Sequence, residues 1–83
     1  MPYIYILQSE SSGRYYVGST NDLERRFSEH LRSHSLATRG RGPWAIVYKE
    51  KFPSLLEARR RELQIKRWKS AKLIAELIEA AKG

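Results

Sequence analysis

The chain contains no cysteine, so neither a disulfide framework nor a thiolate metal site can support its fold. Long apolar runs are missing too. None approaches the roughly 18 residues that a membrane span needs. The N-terminal run Tyr3 to Leu7 is too short for a secretory signal and lacks a basic lead. Acidic residues are scarce: nine Asp and Glu stand against sixteen Lys and Arg, a formal charge of +7. In so short a chain that imbalance implies a polyanionic partner, nucleic acid first. Eighty-three residues leave room for one small core. Aliphatic and aromatic side chains must build it, and the sequence is 41% hydrophobic. The expectation is a single domain over residues 1–83, cytoplasmic and with no membrane attachment.

The most organised stretch runs from Tyr15 to His30 (YYVGSTNDLERRFSEH). It reads as a strand that turns at Gly18-Ser19-Thr20 and continues as an amphipathic helix. Asn21 can cap that helix, and Glu24 three residues on completes a capping box. At 100° per residue Leu23, Phe27 and Leu31 form its buried stripe. Arg25 then points away, whereas Arg26 and His30 share one border of the stripe. A strand ending in an aromatic hydroxyl thus leads into a helix edged by a cation and an imidazole. That arrangement can hold a phosphate.

Elsewhere, Tyr3 to Leu7 (YIYIL) reads as a strand buried on both faces. Glu10-Ser11-Ser12-Gly13 makes the turn of a hairpin returning through Tyr15 to Gly18. His34 to Pro43 is a basic, mobile loop, since Arg-Gly-Arg-Gly-Pro suits neither helix nor strand. Trp44 to Phe52 returns to a strand. Ser54 and Glu57 form a second capping box ahead of a helix from Leu55 to Trp68. Leu55, Leu56, Ala58, Leu63 and Ile65 spread over one half of it, with Glu62 in their midst. Ser70 caps a last helix over about 70–81, with Leu73, Ile74, Leu77, Ile78 and Ala81 as its stripe. The fold class is α+β: a small three-stranded sheet flanked by helices.

Glu62 is the most informative residue. A carboxylate on an inward helix face is costly unless paired or bound to metal. Lys66 at i+4 and Arg59 at i−3 offer the ion pair. A metal site here would have one carboxylate, completed by water and substrate oxygens, which suits Mg²⁺ and not zinc. Tyr5 and Tyr16 are ordinary strand residues. As a general base, either needs a guanidinium and a metal to favour its phenolate, because a free tyrosine titrates near 10. Arg26 and a cation on Glu62 are the available sources. His30 either orients a phosphate and shuttles a proton or simply rims the stripe.

Together these residues resemble the GIY-YIG nuclease family, in particular its short stand-alone UPF0213-type members, and also the N-terminal nuclease domain of the excinuclease C subunit. Tyr3-Ile4-Tyr5 occupies the place of the first motif and Tyr16-Val17-Gly18 that of the second, with ten residues between Tyr5 and Tyr16. Ten residues on from Tyr16 lies Arg26, in a helix opening N-D-L-E-R-R, and His30 follows four later. Ala58 and Glu62 match the Ala-x-x-x-Glu pattern of the metal-binding helix, with Lys66 behind. Tyr3 departs from the motif's glycine, and the segment between the first helix and Trp44 is compact. The resemblance covers a core of about 3–68.

The resemblance implies an antiparallel three-stranded sheet flanked by helices and metal-dependent cleavage of DNA phosphodiesters, with DNA repair or recombination as its setting. Tyr5, Tyr16, Arg26, His30 and Glu62 are the expected catalytic residues, lining one concave surface. Glu62 would hold a single Mg²⁺ or Mn²⁺. Tyr16 or Tyr5 would activate water, and Arg26 would neutralise charge in the transition state. Arg39, Arg41 and Lys66 would bind backbone phosphates of DNA, giving affinity without sequence readout. Two rival readings keep the same fold: a non-catalytic nucleic-acid-binding module, and a catalytic subunit targeted by a protein partner.

Overall fold

Ile4, Tyr5, Ile6 and Leu7 follow one another with no polar residue between them. A strand of that composition is stable only where both of its faces are covered. In the computed structural model, which describes residues 1–31 and 43–82 with the Leu31 side chain excepted, all four are fully buried. They belong to β1 (Tyr3–Ser9), the central strand of an antiparallel sheet ordered β2-β1-β3. Its neighbours are β2 (Tyr15–Thr20) and β3 (Trp44–Lys51). The helices are α1 (Leu23–Leu31), α2 (Leu55–Arg67) and α3 (Ala71–Lys82). The expected basic loop, with Arg39 and Arg41, lies outside the described residues.

Alternation along β1 splits the core in two. Ile4 and Ile6 pack with Val17, with Ile65 of α2 and with Ile78 of α3. Tyr5 and Leu7 pack on the other face with Trp44 and with Leu23 and Phe27 of α1. The sheet is therefore a middle layer between α1 and the α2–α3 pair. A bulge in β3 pairs Ile6 with Tyr48 but Leu7 with Ile46. Val47 is thereby added to the α2–α3 side.

The hairpin closes on Ser9, whose N–H donates to Arg14 O at 2.9 Å while its own carbonyl accepts from Gly13 N–H at 2.9 Å. Gly13, at φ 76, supplies the left-handed residue. The return strand runs further than its sequence suggests, because Ser19 and Thr20 stay in register with Ile4 and Tyr3. The turn at Gly18-Ser19-Thr20 is corrected accordingly. So is the cap: the Asp22 carboxylate, not Asn21, accepts the Arg25 N–H at 3.1 Å.

The capping serines ahead of α2 and α3 act as expected. Ser54 Oγ accepts from Glu57 N–H at 3.3 Å, and Ser70 Oγ from Leu73 N–H at 3.2 Å. The apolar half of α2 needs correction, since Leu56 and Leu63 are 59% and 54% exposed. They lie about 160° around the helix from Ala58 and Ile65, two residues on in each case, and only one of the two sets can face the sheet. Ala58 and Ile65 do so, and Glu62 falls between them. Leu73 and Ala81 of α3 are likewise exposed, leaving Ile74, Leu77 and Ile78 as the docked stripe.

Candidate active site

Position 18 shows how closely this region is packed. A Cβ on Gly18 would lie 2.5 Å from Tyr5 Oη and 2.6 Å from its Cζ. The Tyr5 ring therefore lies directly over the backbone of β2, which brings a hydroxyl from the central strand toward the sheet's edge. Only glycine leaves room for it. Tyr16, two residues earlier, faces the same side of the sheet, and the two rings sit 6.4 Å apart.

Helix α1 closes over both rings. His30 is 1% exposed, with its Nε2 at 3.1 Å from Tyr5 Oη. Its ring stands edge-on to Tyr16 at 4.9 Å between centroids. Arg26, one turn earlier, faces the hydroxyls of both tyrosines and pairs with Glu29 at 3.5 Å. Arg25 points outward as the helix phase requires, its side chain 78% exposed against 32% for Arg26.

Glu62 arrives from the other side. Its Oε1 accepts the Ser19 hydroxyl at 2.5 Å, and its Oε2 meets Lys66 Nζ at 2.5 Å. Ser19 is three residues from Tyr16, so by alternation it faces α2. The expectation of one shared surface is thereby corrected. Tyr5, Tyr16, Arg26 and His30 gather on the α1 face, and Glu62 on the α2 face. β2 is one of the two outer strands, and the Glu62 charge reaches Tyr5 from the α2 side.

A family model described as the GIY-YIG catalytic domain matches residues 1–75. The chain belongs to the GIY-YIG family. It is 42% identical over 67 residues to a UPF0213 protein of Halobacterium salinarum, covering 80% of this chain and 86% of that one. A UPF0213 protein of Halalkalibacterium halodurans is 42% identical over 65 residues, covering 77% and 68%. The solution NMR structure of a UPF0213 protein from Bacillus halodurans superposes with a TM-score of 0.61 at 36% identity, covering 96% of this chain and 85% of that one. The three-stranded α+β architecture is thus that of a solved UPF0213 structure.

The electrostatics separate the two tyrosines of this GIY-YIG domain. Burial pushes the Tyr5 hydroxyl up to about 12, against a smaller opposing effect of Arg26. Tyr5 is thus held as a neutral phenol, bonded to His30. Burial also drives His30 down to about 4, helped by the Arg26 charge, so its imidazole is neutral at pH 7. Tyr16 is only half-buried and remains within reach of water. Among the described residues no group of three or more His, Cys, Asp or Glu gathers. Among the described residues Glu62 is the carboxylate on the α2 side of the site, while Glu29 pairs with Arg26 on the α1 side. A single carboxylate fits an ion that keeps most of its ligands as water and substrate oxygen, as Mg²⁺ does.

Arg61, also turned toward the sheet, pairs with Glu50 at 3.8 Å and lies over the Trp68 ring at 5.8 Å. Of the two charged residues on this face of α2, Glu62 is the one that reaches β2. A turn at Gly18-Ser19-Thr20 hides the role of Ser19, whereas a strand running through Thr20 aims it at α2 by alternation. Lys66 is the cation on Glu62, the ion pair that its i+4 spacing offers. Among the described residues no helix is long and apolar enough to cross a membrane.

Proposed function

We propose that this protein hydrolyses DNA phosphodiester bonds with one Mg²⁺ or Mn²⁺ held by Glu62. The observation that supports this most is that the Tyr5-Tyr16-Arg26-His30 cluster and Glu62, although on opposite faces, flank the same outer strand, with the Glu62 charge reaching Tyr5. A phosphate at the edge of that strand is within reach of a guanidinium on one side and a carboxylate on the other. Bound at Glu62, a divalent ion would supply Lewis-acid polarisation of a phosphate oxygen.

The protein groups divide the remaining work. Tyr16 is the tyrosine left to activate a water, because Tyr5 is buried and held neutral. Tyr5 and His30 position each other, and the pair fixes the Tyr16 ring against α1. Arg26 neutralises charge developing on the phosphoryl oxygens. Lys66 balances Glu62 while no divalent ion is bound and turns to a backbone phosphate when one is. DNA is the partner, met in the cytoplasm during repair or recombination.

One observation favours a second reading, a binding module without catalysis. Both Glu62 oxygens already have partners, in Ser19 and Lys66, as a structural ion pair would require. The test is incubation with branched, flapped, single-stranded and duplex DNA, with and without Mn²⁺, beside Glu62→Gln. Cleavage by the wild type alone supports the nuclease. A Glu62→Gln protein that cleaves at the wild-type rate refutes the catalytic assignment and leaves the binding module.

A further inference from the structure

Past the candidate site, β2 borders a second feature. Tyr15 and Val17 face α2 and α3, where Ile65 and Ile74 meet them, and these side chains floor a groove of about 530 Å³. Its rim carries Arg14, Lys66 and Lys69, and among the described residues no acidic one lines it. Lys66 also pairs with Glu62, so the groove and the candidate site share a border. Lys69 holds the left-handed conformation at φ 48, a position where helix ends usually place glycine. Keeping a lysine there costs backbone strain, and it sets an ammonium at the mouth of the groove.

We infer that this groove receives an unpaired nucleobase of a nucleic-acid strand, whose flanking phosphates rest on Arg14 and Lys69. The inference rests on the nucleic-acid reading above and extends it to a subsite beside the reacting phosphate. An apolar floor with an aromatic side chain suits the faces of a base, and every base has such a face. The cations Arg14 and Lys69 suit the phosphates on either side. A purely apolar partner would gain nothing from that rim. The groove accordingly discriminates a strand with bases from one without, and reads little about which base it is.

The test measures binding in EDTA, so that cleavage is not required. Fluorescence anisotropy compares a labelled hexathymidylate with an abasic strand of the same length, and an acidic hexapeptide serves as competitor. The wild type should prefer the thymidylate by roughly fivefold or more. Tyr15→Leu keeps an apolar floor but should abolish that preference. Lys69→Gly should weaken both strands several-fold while the melting temperature holds or rises, because glycine relieves the left-handed backbone. That pairing separates a lost contact from a lost fold. Equal affinity of the wild type for the two strands, or displacement of the thymidylate by the peptide, overturns the inference. A protein that cleaves duplex through Glu62 yet ignores the base keeps the nuclease and loses the groove. One that prefers the thymidylate and never cleaves does the reverse.

Discussion

Acid should destabilise this fold through one residue, His30. Its imidazole is 1% exposed and titrates near 4, against 6.5 for the free group. The folded protein therefore binds fewer protons than the unfolded chain between those two values, and stability must fall as pH drops. Above 6.5 nothing is lost. Below about 4 both states are protonated and the loss is complete. A gap of about 2.5 pH units at about 1.4 kcal/mol each amounts to about 3.5 kcal/mol in full, of which about 3 kcal/mol is lost by pH 4. About 1.4 kcal/mol is already lost at pH 5.5. A domain of this size is expected to have only about 4–12 kcal/mol in all, so the effect is measurable by urea melts between pH 7.5 and 4. His30→Gln supplies the control, since glutamine keeps a polar contact for Tyr5 but does not titrate. The other ionisable groups are common to both proteins and cancel in the comparison. The wild-type curve should fall by about 3 kcal/mol relative to the variant's. Parallel curves would show that His30 is not held neutral by burial, and the assigned role of the Tyr5–His30 pair would go with it.

Gly18→Ala drives a methyl group into the buried Tyr5 ring and should cost about 1–3 kcal/mol in chemical denaturation; an unchanged midpoint would mean that the ring is free to move. Arg26→Ala should lower the rate of DNA cleavage by about 10²–10³ at saturating substrate, while Arg25→Ala, one position around the helix, should leave it within a factor of a few. DNA affinity should fall with salt at a log–log slope of about −0.9 per phosphate neutralised. Replacing Arg39 and Arg41 together should flatten that slope, and an affinity indifferent to salt would exclude a polyanionic partner.

The elements were legible because each is written locally. An unbroken apolar run gave the central strand, capping serines gave the starts of α2 and α3, and the 100° phase told Arg26 from Arg25. What could not be read depended on the choice between equivalent faces. On α2 the pairs Ala58/Ile65 and Leu56/Leu63 lie on opposite sides of the helix, and nothing local says which side meets the sheet. The same limit hid the role of Ser19. Its direction follows from alternation only once the strand is known to run through Thr20, and that length is set by pairing with β1 rather than by Ser19 and Thr20 themselves. For the same reason the spacing of Tyr16, Arg26 and Glu62 indicated a common site but not that it spans both faces of β2.

The position of that site on an edge strand connects the protein's charge to its chemistry. An open edge presents unpaired backbone groups, and soluble proteins commonly guard such edges with lysine and other charged side chains. Arg14, Lys66 and Lys69 border β2 on its α2–α3 side, and Arg26 stands on its α1 side. Charges placed there repel the edge of another copy of the chain, since the net charge is +7. They attract a phosphate backbone at the same time. On the α2–α3 side the Glu62 carboxylate interrupts this basic border, and Ser19 and Lys66 hold it in place. Protection against self-association needs only positive charge there, so the carboxylate calls for a separate cause. The proposed divalent ion would provide one, which is why Glu62→Gln decides between the two readings more sharply than removal of any of the cations.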